Sequence, residues 1–112
     1  MAVYVKTLVE AKTVESSQTT QYTATGVTTI IDKFTATNYN TAAATISVNL
    51  VASGGSAGNT NIITKTKTLQ PAEVYTFPEL VGQVLSNGDF ISTIAGTASA
   101  INMRVSGREV TA

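Results

Sequence analysis

Residues 29–50 have the sequence TIIDKFTATNYNTAAATISVNL, and this stretch indicates the fold class of the whole chain. Apolar and polar residues alternate over residues 30–36, polar residues follow at positions 38–41, and the alternation resumes over residues 46–50. A period of two places the apolar side chains on one face of a β-sheet and the polar ones on the other. The stretch therefore predicts two antiparallel strands joined as a hairpin.

The remaining segments predict more short strands and one helix. Strand-like alternation or apolar content occurs near residues 3–8, 21–25, 27–37, 45–51, 62–69, 74–77, 89–95 and 98–110, and the last two are expected to form a closing hairpin. Residues 78–86 begin with Pro78 and carry apolar residues at helical spacing, which predicts a short helix. Residues 10–20 have no period and predict an extended arm. The predicted fold is an all-β antiparallel sandwich, immunoglobulin-like or jelly-roll-like, of about seven or eight strands.

Two residues conflict with a regular strand pattern. Asp32 falls in the inward phase of Ile30 and Phe34, and a buried lone carboxylate is costly. We therefore expect a β-bulge at Ile31–Asp32 or an exposed strand end. Gly107 interrupts the last strand, which indicates a bulge or a close approach of two backbones.

The composition favours one small domain that associates with other proteins. The chain has 112 residues, which fit a single domain over residues 1–112. Its formal net charge is zero and only 12% of its residues are charged, well below the usual ~25%. Monomeric proteins usually keep more net charge. The alternative is a threonine-rich monomer, since threonine suits half-buried strands.

The residue types exclude several kinds of site. The chain has no cysteine and no histidine, so disulfides, thiolate metal sites and imidazole bases are ruled out. Its basic residues form no cluster of the kind that binds nucleic acid. A glycosidase needs two carboxylates facing one cleft, but the acids between residues 32 and 109 are scattered along the chain: Asp32, Glu73, Glu79, Asp89 and Glu109. We expect no enzymatic activity, catalytic residue, cofactor, metal or small-molecule substrate.

No segment of the sequence predicts a membrane or secretion role. Residues 1–12 alternate and contain charges, so they lack the continuous apolar stretch of a signal peptide. Nowhere does the chain reach the ~20 apolar residues of a membrane-spanning helix. We therefore expect synthesis in the cytoplasm without a signal peptide, and no membrane partner.

The candidate interaction residues lie in two turns and on one strand. The loop at residues 52–61 is rich in glycine and small polar residues, which predicts the most flexible stretch of the chain, either a connector or an interaction tip. Tyr39 lies in a polar turn and either is an exposed contact or covers a neighbouring side chain. Lys65 and Lys67 suggest an edge strand guarded against pairing. The candidates are Tyr39, Ser53, Gly54, Gly55, Ser56, Asn59, Lys65 and Lys67.

Several segments resemble small structural proteins of tailed bacteriophages. They lie within residues 26–110 and are IDKFTATN (31–38), ISVNLV (46–51), GG (54–55), LQPAEVY (69–75), ELVGQVL (79–85), GDFI (88–91) and RVSGREV (104–110). The resemblance implies a repeated, non-enzymatic virion component that binds copies of itself and other virion proteins. Its place would be on the capsid as a decoration protein, or in the neck or tail. The alternative is a binding module that recognises a host-surface glycan or protein.

Overall fold

A computed structural model describes residues 1–111, and these residues form strands and turns but no helix. None of them therefore forms a helix that is able to cross a lipid bilayer. The nine strands are β1 (Ala2–Thr13), β2 (Thr19–Thr23), β3 (Thr28–Asn38), β4 (Ala44–Val51), β5 (Ile62–Leu69), β6 (Val74–Tyr75), β7 (Val84–Leu85), β8 (Phe90–Ala95) and β9 (Ile101–Thr111).

The strands form two antiparallel sheets around one apolar core. The five-stranded sheet has the order β1-β9-β3, and both β6 and β7 pair with the far side of β3. The four-stranded sheet has the order β2-β8-β4-β5. Ile31 and Phe34 of the first sheet belong to the same buried cluster as Ile46 and Val48 of the second. The all-β prediction is confirmed, and the arrangement is compatible with a β-sandwich.

The two predicted hairpins are wrong, although their strands exist. β3 pairs with β9, whereas β4 pairs with β5 and β8 in the other sheet. Likewise β8 and β9 lie in different sheets. The turns at residues 39–43 and 96–100 therefore cross from one sheet to the other, and Tyr39 N donates to Ala100 O at 2.9 Å between them. Alternation determines which face of a strand is buried but not which strand pairs with it.

The predicted helix at residues 78–86 is also wrong. The segment forms turns and then β7, which pairs with β3. Gly82 has a φ of +86° and its N–H donates to Ile31 O at 2.7 Å. Leu80 is buried while Val84 is exposed, so the apolar residues do not share one helical side. So short a helix with an internal glycine has little stability of its own, and the edge of β3 offers backbone hydrogen bonds instead.

Residues 10–20 are attached to both sheets along most of their length. Residues 10–13 complete β1, and β2 begins at Thr19. Between these strands Val14 is fully buried and donates from its N–H to Ile101 O at 2.8 Å. Glu15 O accepts a hydrogen bond from Ala95 N at 2.9 Å. Residues 10–13 show no alternation with a period of two because the pairing of β1 with β9 shifts its register twice after Thr7.

The expectations for Asp32 and Gly107 are confirmed. The pairing of β3 with β9 shifts between Ile31 and Lys33, which leaves Asp32 outside the ladder and exposed. A Cβ at Gly107 would lie 2.2 Å from Ile30 O. Only glycine permits this approach of the two backbones. The bulge also explains why Ile31 and Phe34, three positions apart, both point into the core.

Candidate interaction surfaces

A polar cluster closes the open side of the fold between β5 and β6. The Tyr75 hydroxyl donates to Glu79 Oε1 at 2.7 Å, and the Thr64 hydroxyl donates to the other oxygen of this carboxylate. Lys67 Nζ lies 4.8 Å from the centre of the Tyr75 ring. Thr64 and Lys67 belong to the four-stranded sheet and Tyr75 to the five-stranded sheet, so the cluster joins the two sheets at their edges.

A cluster of the same residue types lies on the opposite side, beside β1 and β2. The Tyr22 hydroxyl donates to the Glu109 carboxylate and shares a hydrogen bond of 2.7 Å with Thr29. Lys6 Nζ lies 3.3 Å from Glu109 Oε1. Tyr22 is on the four-stranded sheet and the other three residues are on the five-stranded sheet. This cluster therefore also holds the sheets together.

These hydrogen bonds favour charged carboxylates and neutral phenols. Burial, and then the bond to Glu109, raises the pKa of Tyr22 to about 12. The bond to Glu79, and then burial, raises the pKa of Tyr75 to about 12. The bond from Tyr22 lowers the pKa of Glu109. Burial acts to raise the pKa of Glu79, but the hydrogen bonds from its partners outweigh burial and lower this pKa. Both carboxylates are occupied by internal donors, which indicates a structural role.

The outer face of the five-stranded sheet exposes a group of valines. Directly paired residues of antiparallel strands point to the same face, and one such row runs from Val5 through Arg108 and Ile30 to Val84. Val3 lies in the next row, opposite Val110. We call the following residues, each at least 49% exposed, the outer valine face: Val3, Val5, Val74, Val81 and Val84.

An ion pair between Arg108 and Asp32 lies within this face. Arg108 Nη2 lies 2.9 Å from Asp32 Oδ1, and Arg108 Nε donates to Oδ2 of the same carboxylate at 3.0 Å. An exposed pair of this kind adds little to the free energy of unfolding. The two charges of the pair offset each other, while Lys33 and Arg104 lie in neighbouring rows of the same face. Val81 lines a shallow depression beside the same Asp32.

The edges of the two sheets differ in how they are protected. β6 and β7 have two residues each, and β2 has five residues with one register shift. β5 carries Lys65 and Lys67, shifts its register twice, and has a φ of +45° at Thr66. Short edges, bulges and lysines all discourage pairing with other chains. β1 lacks these features over residues 2–7 apart from Lys6, because its pairing with β9 is regular there.

The residues predicted as interaction sites lie in separate places. Tyr39 is in the turn that follows β3, 52% exposed, and its hydroxyl lies 3.1 Å from Thr13 Oγ1. The loop at residues 52–61 follows β4 and lies at the other end of the fold, next to the turn before β8. Lys65 and Lys67 are on the outer edge of the four-stranded sheet, where the edge-strand prediction is confirmed. The structure does not bring these residues into one site.

The glycine-rich loop is tied down by hydrogen bonds. Asn49 Nδ2 donates to Gly58 O at 2.9 Å and to Asn61 Oδ1 at 2.7 Å. Ser53 N donates to Asp89 Oδ1 at 3.0 Å. The predicted contact residues of the loop remain exposed: Ser53, Gly54, Gly55, Ser56 and Asn59. The loop thus combines a hydrogen-bonded backbone with exposed small side chains.

Residues 54–58, GGSAG, match the Gly-x-Ser-x-Gly spacing of a hydrolase nucleophile. In those enzymes the serine stands on a turn between a strand and a helix, and a histidine activates it. Here Ser56 lies in a loop between two antiparallel strands, and the chain has no histidine. We assign the match to the loop composition. The described residues also contain no group of acidic side chains suited to a metal ion.

The exposed valines were not predicted from the sequence because each had another interpretation. Val3 and Val5 lie in residues 3–8, which alternate like an ordinary strand, and Val84 is one of the apolar residues at helical spacing in residues 78–86. The available signal was the run Val3-Tyr4-Val5, which is apolar in both phases of a strand.

No protein-family model matches the chain, and a search of curated proteins finds no match either.

Proposed function

We propose that this protein is a non-enzymatic structural subunit of a bacteriophage virion, which binds copies of itself and neighbouring virion proteins. The observation that carries the proposal is the outer valine face. Exposed apolar patches on small proteins mark interaction sites. Covering one half-exposed valine would contribute roughly 1 kcal/mol, so several such valines give a partner a substantial gain.

The strand order supports the jelly-roll alternative over the immunoglobulin-like one. If β6 and β7 are counted as one interrupted strand, the sheets have the orders 1-8-3-6 and 2-7-4-5. This is the order of an eight-stranded jelly roll. In that fold the fourth and fifth strands are the one pair that is consecutive in sequence and also adjacent within a sheet. Jelly rolls occur in viral capsid and lectin domains. This support is an analogy at the level of the fold.

The distribution of charge also supports an assembly role. The chain has zero formal net charge, and the charges of Arg108 and Asp32 on the outer face of the five-stranded sheet offset each other. Copies of such a subunit approach one another without net repulsion. In a particle with many copies, contacts that are individually weak add up through avidity.

Sedimentation tests the proposal directly. The pure protein is sedimented over a range of concentrations, alone and with purified phage capsids or tails. We expect oligomers, cosedimentation with one of these particles, or both, and loss of cosedimentation for Val84→Asp. Ile63→Asp, which changes an exposed apolar residue on β5, is the matched control. A strict monomer that ignores capsids and tails would contradict the proposal.

A different measurement distinguishes the proposed virion role from the alternative function, which is recognition of a host-surface glycan or protein. Tyr39→Ala and Asn59→Ala alter exposed side chains at opposite ends of the fold. Under our proposal, neither variant changes cosedimentation, and the wild-type protein binds no glycan on an array. Glycan or cell binding that one of these variants abolishes would favour the alternative.

A further inference from the structure

We propose that residues 2–6 of β1 pair with the same residues of a second copy of this chain, so that two five-stranded sheets join into one antiparallel sheet. The inference deepens the proposed function, on which it rests for the expectation of self-association. It adds the strand, the register and the symmetry of the contact.

The first reason is that residues 2–7 of β1 form the longest regularly paired open edge among the described strands. Its first six residues pair regularly with β9 from Ala2↔Thr111 to Thr7↔Ser106, and the opposite edge of β1 has no neighbour in its sheet. This edge exposes Val3 at 51%, Tyr4 at 57% and Val5 at 86%. An exposed, flat, apolar edge is a template for another strand.

The second reason is that the edge is complementary to itself. A two-fold axis perpendicular to the sheet makes the strands antiparallel and keeps the core side of each copy on the same face, because directly opposite residues share a face. An axis at Tyr4 sets Tyr4 against Tyr4 of the partner and Val3 against Val5. Ala2 then faces Lys6. The three residues Val3-Tyr4-Val5 thus match their own reverse, and Ala2 is the one apolar residue of the segment that faces a charged side chain.

The charges are compatible with this register. Lys6 is the one charged side chain in residues 2–6, and it faces an alanine instead of the partner's lysine. Its Nζ lies 3.3 Å from Glu109 Oε1 of its own chain. Shifting the axis by one residue to Val5 would set Val3 against threonine and Tyr4 against lysine. One Val5–Val5 pair would replace the two Val3–Val5 pairs, so the register centred on Tyr4 is preferred.

The contact is expected to be weak in solution. Five residues joined edge to edge bury far less than the ~800 Å² per partner of a standard interface. Self-association should therefore depend on concentration, and many copies in a particle would strengthen it.

Cysteine cross-linking tests the contact, since the chain contains no cysteine of its own. Single variants Val3→Cys, Tyr4→Cys and Val5→Cys are oxidised at high protein concentration, with Thr23→Cys on the edge of β2 as control. Opposite residues in an antiparallel pair lie at Cα distances that a disulfide spans. We expect Tyr4→Cys to give roughly tenfold more dimer than Thr23→Cys if the axis passes through this residue. Equal yields at both positions, or a maximum at Val5→Cys, would overturn the proposed register.

A lysine variant gives an independent measurement. Val5→Lys should weaken self-association about tenfold, because the two-fold axis repeats each change and lysine guards strand edges. Ile63→Lys on β5 should leave self-association unchanged. If Val5→Lys and Ile63→Lys behave alike, the β1 contact is excluded while the proposed function stands, since cosedimentation with capsids or tails is measured separately.

Discussion

Tyr75 donates a hydrogen bond of 2.7 Å to Oε1 of Glu79, and this bond fastens the edge of the five-stranded sheet to the turn that follows it. The Tyr22–Glu109 bond repeats the pattern on the other side of the molecule. Thr64 and Lys67 also contact the first pair. Thr29 and Lys6 also contact the second pair. The two open sides of the fold are thus closed by polar contacts that depend on protonation.

The first prediction concerns alkaline pH. The usual tyrosine pKa is 10.0, and in the folded protein the pKa of Tyr75 is raised to about 12 by its bond to Glu79 and by burial. Stability from this group is complete below pH 10 and is lost as pH rises toward 12. The difference in the free energy of unfolding between wild type and Tyr75→Phe should shrink over this range. Denaturant titrations at several pH values check this, and a constant difference would contradict it.

The second prediction concerns acidic pH. Hydrogen bonds from Thr64 and Tyr75 outweigh burial and hold the pKa of Glu79 below the usual 4.5. Stability from this carboxylate is therefore present above pH 4.5 and is lost as pH falls through the lowered pKa. Glu79→Gln should be less stable than wild type at neutral pH and should converge with it in acid. Glu10→Gln, at an exposed site on β1, is the control, and parallel curves for wild type and Glu79→Gln would refute the assignment.

The third prediction concerns the core. Phe34 is fully buried, and its ring centre lies 4.5 Å from that of Phe77. Phe34→Ala should lower the free energy of unfolding by roughly 3–5 kcal/mol. Thr66→Ala, at an exposed position on β5, should cost far less. Denaturant melts measure both, and similar small costs would mean that Phe34 does not lie between the sheets.

The fourth prediction concerns the backbone contact at Gly107. An alanine Cβ there would meet Ile30 O at 2.2 Å and force β3 and β9 apart. Gly107→Ala should therefore destabilise the protein by about 1–3 kcal/mol or more. A Cβ at Gly58 meets nothing within 4 Å, so Gly58→Ala should stay within about 0.5 kcal/mol of wild type. Thermal melts compare the two, and equal melting temperatures would contradict the close approach.

The strands of this fold were largely predictable because their alternation is a local property. Residues 30–36 and 46–50 lie in strands as expected, and the misfit of Asp32 correctly indicated a bulge. The pairing was not predictable in this way. A short polar turn after Asn38 serves equally well to reverse a strand within a sheet or to cross to the opposite sheet, and the choice depends on distant partners such as β9.

The candidate surface was less predictable than the fold. The exposed position of Val84 depends on β7 pairing with β3, which helical spacing at residues 78–86 concealed. Lys65 and Lys67 did indicate a guarded edge from sequence. The open edge at Val3 and Val5 becomes visible only when β9 is known to occupy the other side of β1.

The position of β9 has a consequence for biosynthesis. Ala2 lies opposite Thr111 and Thr28 lies opposite Val110, so the strand that separates β1 from β3 is made after the other eight described strands. Until residues 101–111 leave the ribosome, the five-stranded sheet lacks its middle, and contacts between such distant residues slow folding. Removing those residues would separate β1 from β3 and so divide the five-stranded sheet, instead of shortening it at one edge.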